Sequence, residues 1–179
     1  DSDANTVGNL TISGGEFKRA SDTQEMIVDH YDESNKGNAV VTGGKFDADI
    51  SKYIPTDYVQ SADGTVEKLG ETNAVAKVGG TYYKTLADAV AAAQDGDTIT
   101  LLKDAELTST LNLAKNITID GQGKYTIKAA NSFTVGSDNK TYCVLYVSGE
   151  VTLKDVTVNG NEKCRVIFCD KGKLTIDGA

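Results

Sequence analysis

A short phrase recurs along the chain: a glycine, any residue, then an aliphatic-Thr-aliphatic triplet. It reads Gly8-Asn9-Leu10-Thr11-Ile12, Gly149-Glu150-Val151-Thr152-Leu153 and Gly172-Lys173-Leu174-Thr175-Ile176. Weaker copies stand at Gly37-Asn38-Ala39-Val40-Val41 and Lys115-Asn116-Ile117-Thr118-Ile119. Each copy is a turn residue followed by a short strand with two side chains on one face and one on the other. Repetition of one strand-turn unit predicts an all-β solenoid, because a single unit cannot bury its apolar face without a neighbour.

The two strongest copies define the repeat. Val144-Leu145-Tyr146-Val147 matches Val166-Ile167-Phe168-Cys169, and Val156-Thr157-Val158 lies between them, ended by Asn159-Gly160. One coil is thus about three short strands, the rung of a right-handed parallel β-helix. A coil supplies the long connections that parallel strands require. The preceding coil fits with Ile117-Thr118-Ile119, Tyr125-Thr126-Ile127 and Val144 to Val147, and its polar insertion, Asn131 to Lys140, is expected to project as a loop. Thr98-Ile99-Thr100-Leu101 reads as the first rung. Alternation then sets Ile99 and Leu101 under Ile117 and Ile119, with Thr100, Thr118, Thr152 and Thr175 as an outward ladder. Tyr146 is expected to face inward.

A short amphipathic helix is predicted over about residues 85–95. Thr85 is a good N-cap, Leu86 to Gln94 is Ala-rich, and Asp95-Gly96 ends it. Leu86, Val90 and Ala93 share a face, which suits a lid on the open apolar end of a coil stack. Ala74 to Val78 and Tyr82-Tyr83 read as short strands before it. The N-terminal copies form a second group, in which Gly8 to Phe17 recurs as Gly37 to Phe46, with Met26-Ile27-Val28 as a third strand between them. The expected organisation is therefore terminal coils of one β-helix at 1–54, a linker at 55–74 containing Pro55, and a helix-capped start of a second β-helix at 75–179. An Asp1 start within solenoid-like sequence reads as a mature or excised part of a longer polypeptide.

Two segments carry a family resemblance. Gly43-Gly44-Lys45-Phe46-Asp47-Ala48-Asp49-Ile50-Ser51-Lys52-Tyr53-Ile54 resembles a closing motif of β-helical surface proteins of Gram-positive gut bacteria. Ala74-Val75-Ala76-Lys77-Val78 with Tyr82 to Leu102 resembles the opening of the same modules: short strand, helix, Asp-Gly-Asp turn, first rung. The resemblance spans about Leu10 to Ala179. It implies a pectate-lyase-like β-helix, an extracellular or bacterial cell-surface location, and a structural or adhesive role. These motifs speak to fold and module boundary rather than to activity.

The chemistry offered by the side chains is sparse. With 26 Asp+Glu against 18 Lys+Arg the formal charge is −8, which argues against nucleic acid and anionic membrane surfaces as partners. No apolar run is long enough to span a bilayer, so no membrane insertion is expected. A lyase on this scaffold would want a carboxylate cluster for Ca²⁺, and the candidates are Asp120, Asp155 and Asp177, near one bend of successive coils. Ordinary turn carboxylates are the plainer reading, since Lys154 interrupts the series. His30 has no nucleophile or ligand partner at recognisable spacing. No cofactor motif is present, and no catalytic residue is assigned. Cys143, Cys164 and Cys169 read as buried small hydrophobes; a disulfide between Cys143 and Cys164, which lie about one coil apart on neighbouring strands, is the alternative.

The expected function is a non-enzymatic extracellular structural or adhesive module whose copies associate end to end or in tandem to build a surface filament or array, head to tail, with Leu174, Thr175 and Ile176 of one meeting Leu10, Thr11 and Ile12 of the next. The alternative is a polysaccharide-binding or polysaccharide-lyase-like domain. Host or matrix glycans or proteins are further candidate partners, with the loop Asn131 to Lys140 as the place for their specificity.

Overall fold

A computed structural model describes residues 8–27 and 37–179. Strands make up 44% of it and helix 6%, so the fold is mostly β, as an all-β class requires. The chain divides into two compact units, residues 1–69 and 70–179.

In the first unit, β1 (Asn9–Phe17) and β2 (Asn38–Phe46) pair in parallel. The two copies of the phrase lie side by side, Leu10 against Ala39, Thr11 against Val40 and Ile12 against Val41. The register shifts at the Gly-Gly pair and recovers at Glu16 and Lys45, so that Phe17 stacks on Phe46 at 4.9 Å between ring centroids. A 3₁₀ turn (Ser51–Tyr53) follows, then β3 (Tyr58–Gln60) and β4 (Thr65–Lys68), which pair antiparallel. β4 also lies antiparallel against Gly44 and Lys45 of β2.

The stretch expected to be a linker, 55–74, is therefore largely a hairpin belonging to this unit. Its turn carries an Asp-Gly signal: Asp63 accepts from the Thr65 amide at 3.1 Å and Gly64 takes φ +88°. Ile50, Tyr53 and Val66 bury with Val41 and Phe46 in one core cluster. Met26 and Ile27 are not in a strand, although Ile27 contributes a buried side chain to that cluster. Val28 and His30 lie outside the described residues.

The second unit opens with a hairpin, β5 (Ala76–Val78) and β6 (Thr81–Tyr83), followed by α1 (Leu86–Ala92). Thr85 caps α1 as expected, its hydroxyl accepting from the Asp88 amide. The helix ends at Ala92, because Ala93 takes an extended ψ of 148°. Nine strands then follow in three successive sets. They are β7 (Thr98–Leu101), β8 (Ala105–Leu107) and β9 (Leu111–Leu113); β10 (Ile117–Asp120), β11 (Thr126–Ala129) and β12 (Cys143–Val147); and β13 (Glu150–Lys154), β14 (Thr157–Asn159) and β15 (Arg165–Cys169). β16 (Lys173–Asp177) completes the order.

Each strand pairs in parallel with the corresponding strand of the next set. The sheets are β7-β10-β13-β16, β8-β11-β14 and β9-β12-β15. The first of these is mixed, because β5 joins β7 antiparallel and β6 joins β5. Val151 lies between Ile117 and Leu174, Thr152 between Thr118 and Thr175, and Leu153 between Ile119 and Ile176, in the register the phrase predicts.

The first rung departs from its expected register by two residues. Ile119 pairs with Ile99 and Thr118 with Thr98, while Thr100 stands beside Asp120. The backbone bond from the Thr118 amide to Asp97, at 3.0 Å, fixes this earlier start. Ile99, Ile119 and Leu153, with Leu113, Leu145 and Val147, bury completely or nearly so in one core. Leu86, Ala89, Val90 and Ala93 of the helix segment bury into that same core. Tyr146 lies on the outer face instead of the expected inner one. It is only partly buried, its ring stacks on Phe168 at 6.1 Å, and its neighbours Leu145 and Val147 take the interior.

Candidate functional site

The candidate residues for assembly occupy comparable places in their separate units. Among the described residues, β1 has a strand neighbour only on its β2 side, and β16 only on its β13 side. Leu10 is 46% exposed and Ile176 59% exposed, although strand alternation places each in line with interior residues of the adjoining strand. Leu174 and Ile12 are partly buried, and Thr11 and Thr175 are exposed on the outer face. Each edge thus offers unpaired main-chain groups beside exposed aliphatic carbon, the combination that favours strand addition.

The opposite side of each unit is covered. In the first, Ile50 and Tyr53 are 1% and 7% exposed, and the Tyr53 hydroxyl donates to the Ile27 carbonyl at 2.8 Å. Gln60 ties this cover down, donating to the Ala48 carbonyl at 2.8 Å while its side-chain oxygen accepts from the Ile50 amide. In the second, β5 runs antiparallel along β7 and the helix sits over the interior. Lys115 locks that helix by donating to the carbonyls of Val90, Ala91 and Ala93 at 3.2, 2.7 and 2.6 Å. A cation on the unsatisfied carbonyls of a helix end answers both their hydrogen-bonding need and their partial charge. Nothing in the spacing of the repeated phrase announces this role for Lys115.

The carboxylates proposed for Ca²⁺ do not form a site. Lys154 stands between Asp120 and Asp177 in the ladder and pairs with Asp120 at 3.0 Å. Burial pushes the Asp120 carboxyl up, but the hydrogen bonds from Lys154 and the Gln122 amide outweigh it and hold the group below its usual value. Lys154 is correspondingly raised by Asp120. Asp155 is a turn residue at φ +45°, its carbonyl accepting from the Gly123 amide at 2.7 Å. Among the described residues no group of three or more His, Cys, Asp or Glu side chains is placed to hold a metal ion.

The alternative Cys143–Cys164 disulfide is not formed; Cys143, Cys164 and Cys169 are all free thiols, of which Cys143 is buried, Cys164 partly buried and Cys169 exposed. Cys143 pairs across the ladder with Arg165, which leaves Cys164 one residue out of line, and the Cys143 thiol donates to the Lys140 carbonyl at 3.4 Å. Burial pushes both the Cys143 and Cys164 thiols up, so neither has the thiolate character of a nucleophile.

The insertion around Asn131 to Lys140 contains no strand, yet it does not simply project. Phe133 is buried in the core, the Thr134 amide bonds the Thr108 carbonyl, and Asp138 organises its tip by accepting from Lys140 and Thr141. Among the described residues no helix is long and apolar enough to cross a membrane. No family model, curated protein or solved structure matches the chain.

Proposed function

We propose that the chain is a non-enzymatic, extracellular structural or adhesive module whose copies join end to end through β1 and β16. On this reading the second unit begins a right-handed parallel β-helix and the first unit ends one. The repeated order of three parallel strands supports the β-helix assignment, and its hand follows the general rule for parallel crossovers. The extracellular setting rests on the resemblance of the two boundary segments to bacterial surface modules.

The observation that carries the proposal is the one-sidedness of each unit: one side is plugged by buried residues and antiparallel strands, and the other ends in an exposed strand with aliphatic side chains. Joining unlike edges gives a heterologous contact, which builds either open strings or closed rings of copies. Multi-angle light scattering over a wide concentration range tests this. The expected result is a mass that rises with concentration and elongated particles by electron microscopy. A strictly monomeric protein overturns the assembly. Turnover of uronide polymers in a lyase assay overturns the non-enzymatic assignment.

A further inference from the structure

We propose that β16 of one molecule takes β1 of the next as its parallel neighbour in a single register, with Gly8 seated on Gly172 and Leu10, Thr11 and Ile12 beside Leu174, Thr175 and Ile176. This rests on the end-to-end reading and adds to it the register, the polarity of the string and a role for Gly8.

The glycine that opens the phrase has a local cause in the second unit. A Cβ on Gly172 would sit 2.5 Å from the Gly149 carbonyl oxygen and 2.8 Å from the Ser148 carbonyl carbon. A Cβ on Gly149 would meet Ala114 at 2.6 Å and the Lys115 carbonyl oxygen as well. Each glycine is therefore required by the turn that precedes it in the stack, where any side chain would collide with backbone. The main chain is held there too, the Lys173 amide donating to the Gly149 carbonyl at 2.9 Å.

Gly8 occupies the same place in the phrase, and its carbonyl accepts from the Asn38 amide at 2.8 Å, repeating that bond on the β2 side. On its other side, among the described residues, nothing lies within 4 Å of where its Cβ would be. Within the described part of one molecule, Gly8 meets no steric demand to be glycine. Setting it on Gly172 of another copy supplies the demand and lets the Asn9 amide donate to the Gly172 carbonyl, the next bond in the same series.

The side chains agree with that alignment. The interior columns Ile117–Val151–Leu174 and Ile119–Leu153–Ile176 would continue into Leu10–Ala39 and Ile12–Val41, covering both Ile176 and Leu10. The outer column Thr98–Thr118–Thr152–Thr175 would continue into Thr11. A slip of one residue turns Leu10 and Ile12 outward. A slip of two puts Gly8 beside Leu174 and leaves Gly172 without its small neighbour. The string is polar, because β4 runs antiparallel on β2 and β5 antiparallel on β7, so neither offers a continuing parallel edge and each copy joins only through β1 and β16.

Two measurements on the full chain test the register. Gly8→Ala is expected to leave the melting temperature unchanged and to weaken self-association at least tenfold by light scattering, whereas Gly149→Ala lowers the melting temperature. Mixed Thr11→Cys and Thr175→Cys single variants under mild oxidation are expected to give a disulfide-linked dimer well above the background of the parent thiols, since neighbouring strands lie about 4.8 Å apart. Ser13→Cys mixed with Thr175→Cys is expected to stay at background. Unchanged association by Gly8→Ala, or equal trapping by the Ser13 pair, overturns the register while leaving end-to-end association standing. A monomer at every concentration overturns both.

Discussion

Asp155 sits in the left-handed region at φ +45°, and one strand further along the ladder Gly178 takes the corresponding place at φ +67°. A left-handed residue costs roughly 1–2 kcal/mol for most L side chains, least for Asp, Asn and Gly, and most for β-branched ones. Asp155→Val is expected to lower stability by about 1–2 kcal/mol in thermal melts, while Asp155→Gly does not lower it. The neighbouring pair of Asp120 and Lys154 answers to pH. The folded-state value of Asp120 is depressed, so its contribution is present above the ordinary aspartate value of about 3.9 and is lost as pH falls through the lower, folded value. Lys154→Met is expected to flatten the acid limb of the stability curve and to lower stability only slightly at neutral pH, since Lys154 remains partly solvated. Chemical denaturation at several pH values checks both expectations.

The elements with the clearest periodicity were also the most legible. The phrase placed β10, β13 and β16 in correct mutual register, as it did β1 and β2, because Val, Ile and Thr at period two leave one choice of face. β8 and β9 had no such signal. Ala105-Glu106-Leu107 and Leu111-Asn112-Leu113 are three-residue strands without a β-branched residue, and their pairing with β11 and β12 holds them extended. The spacing does not fix the register of β7, because Thr98 and Thr100 are equivalent in composition and only the Asp97 carbonyl separates them. At the edges, exposed aliphatics at phrase positions were visible in the sequence, but what covers the opposite sides was not. The covering residues Ile50, Tyr53 and Val66 come from a stretch that looks polar and irregular. The helix α1 was legible from its cap and its Ala content, but not its fastening. Its seven residues are too few to be stable alone, so tertiary contacts and Lys115 must hold it. Lys115→Met is expected to cost about 1–2 kcal/mol by leaving helix-end carbonyls unanswered, with loss of helical signal by circular dichroism ahead of the main transition.

At the scale of the whole molecule, the proposed contact is mostly apolar carbon and main-chain hydrogen bonds, with few charges. Leu10→Glu or Ile176→Glu is expected to abolish association while moving the melting temperature little, because both side chains are already substantially exposed in the single molecule. Light scattering and thermal melts on the same samples separate the two effects. Association is also expected to weaken on cooling and to change little with salt, as apolar burial does and ion pairing does not.

The three parallel ladders of the second unit have a mechanical consequence. Pulling its successive sets of strands apart means breaking β10–β13, β11–β14 and β12–β15 together, so the load is shared across three rows of bonds. The proposed junction between molecules runs along one row only, β16 against β1. A string of these molecules under tension would therefore part at its junctions before the second unit of any molecule unravels, and a parted junction could re-form without any chain having to refold.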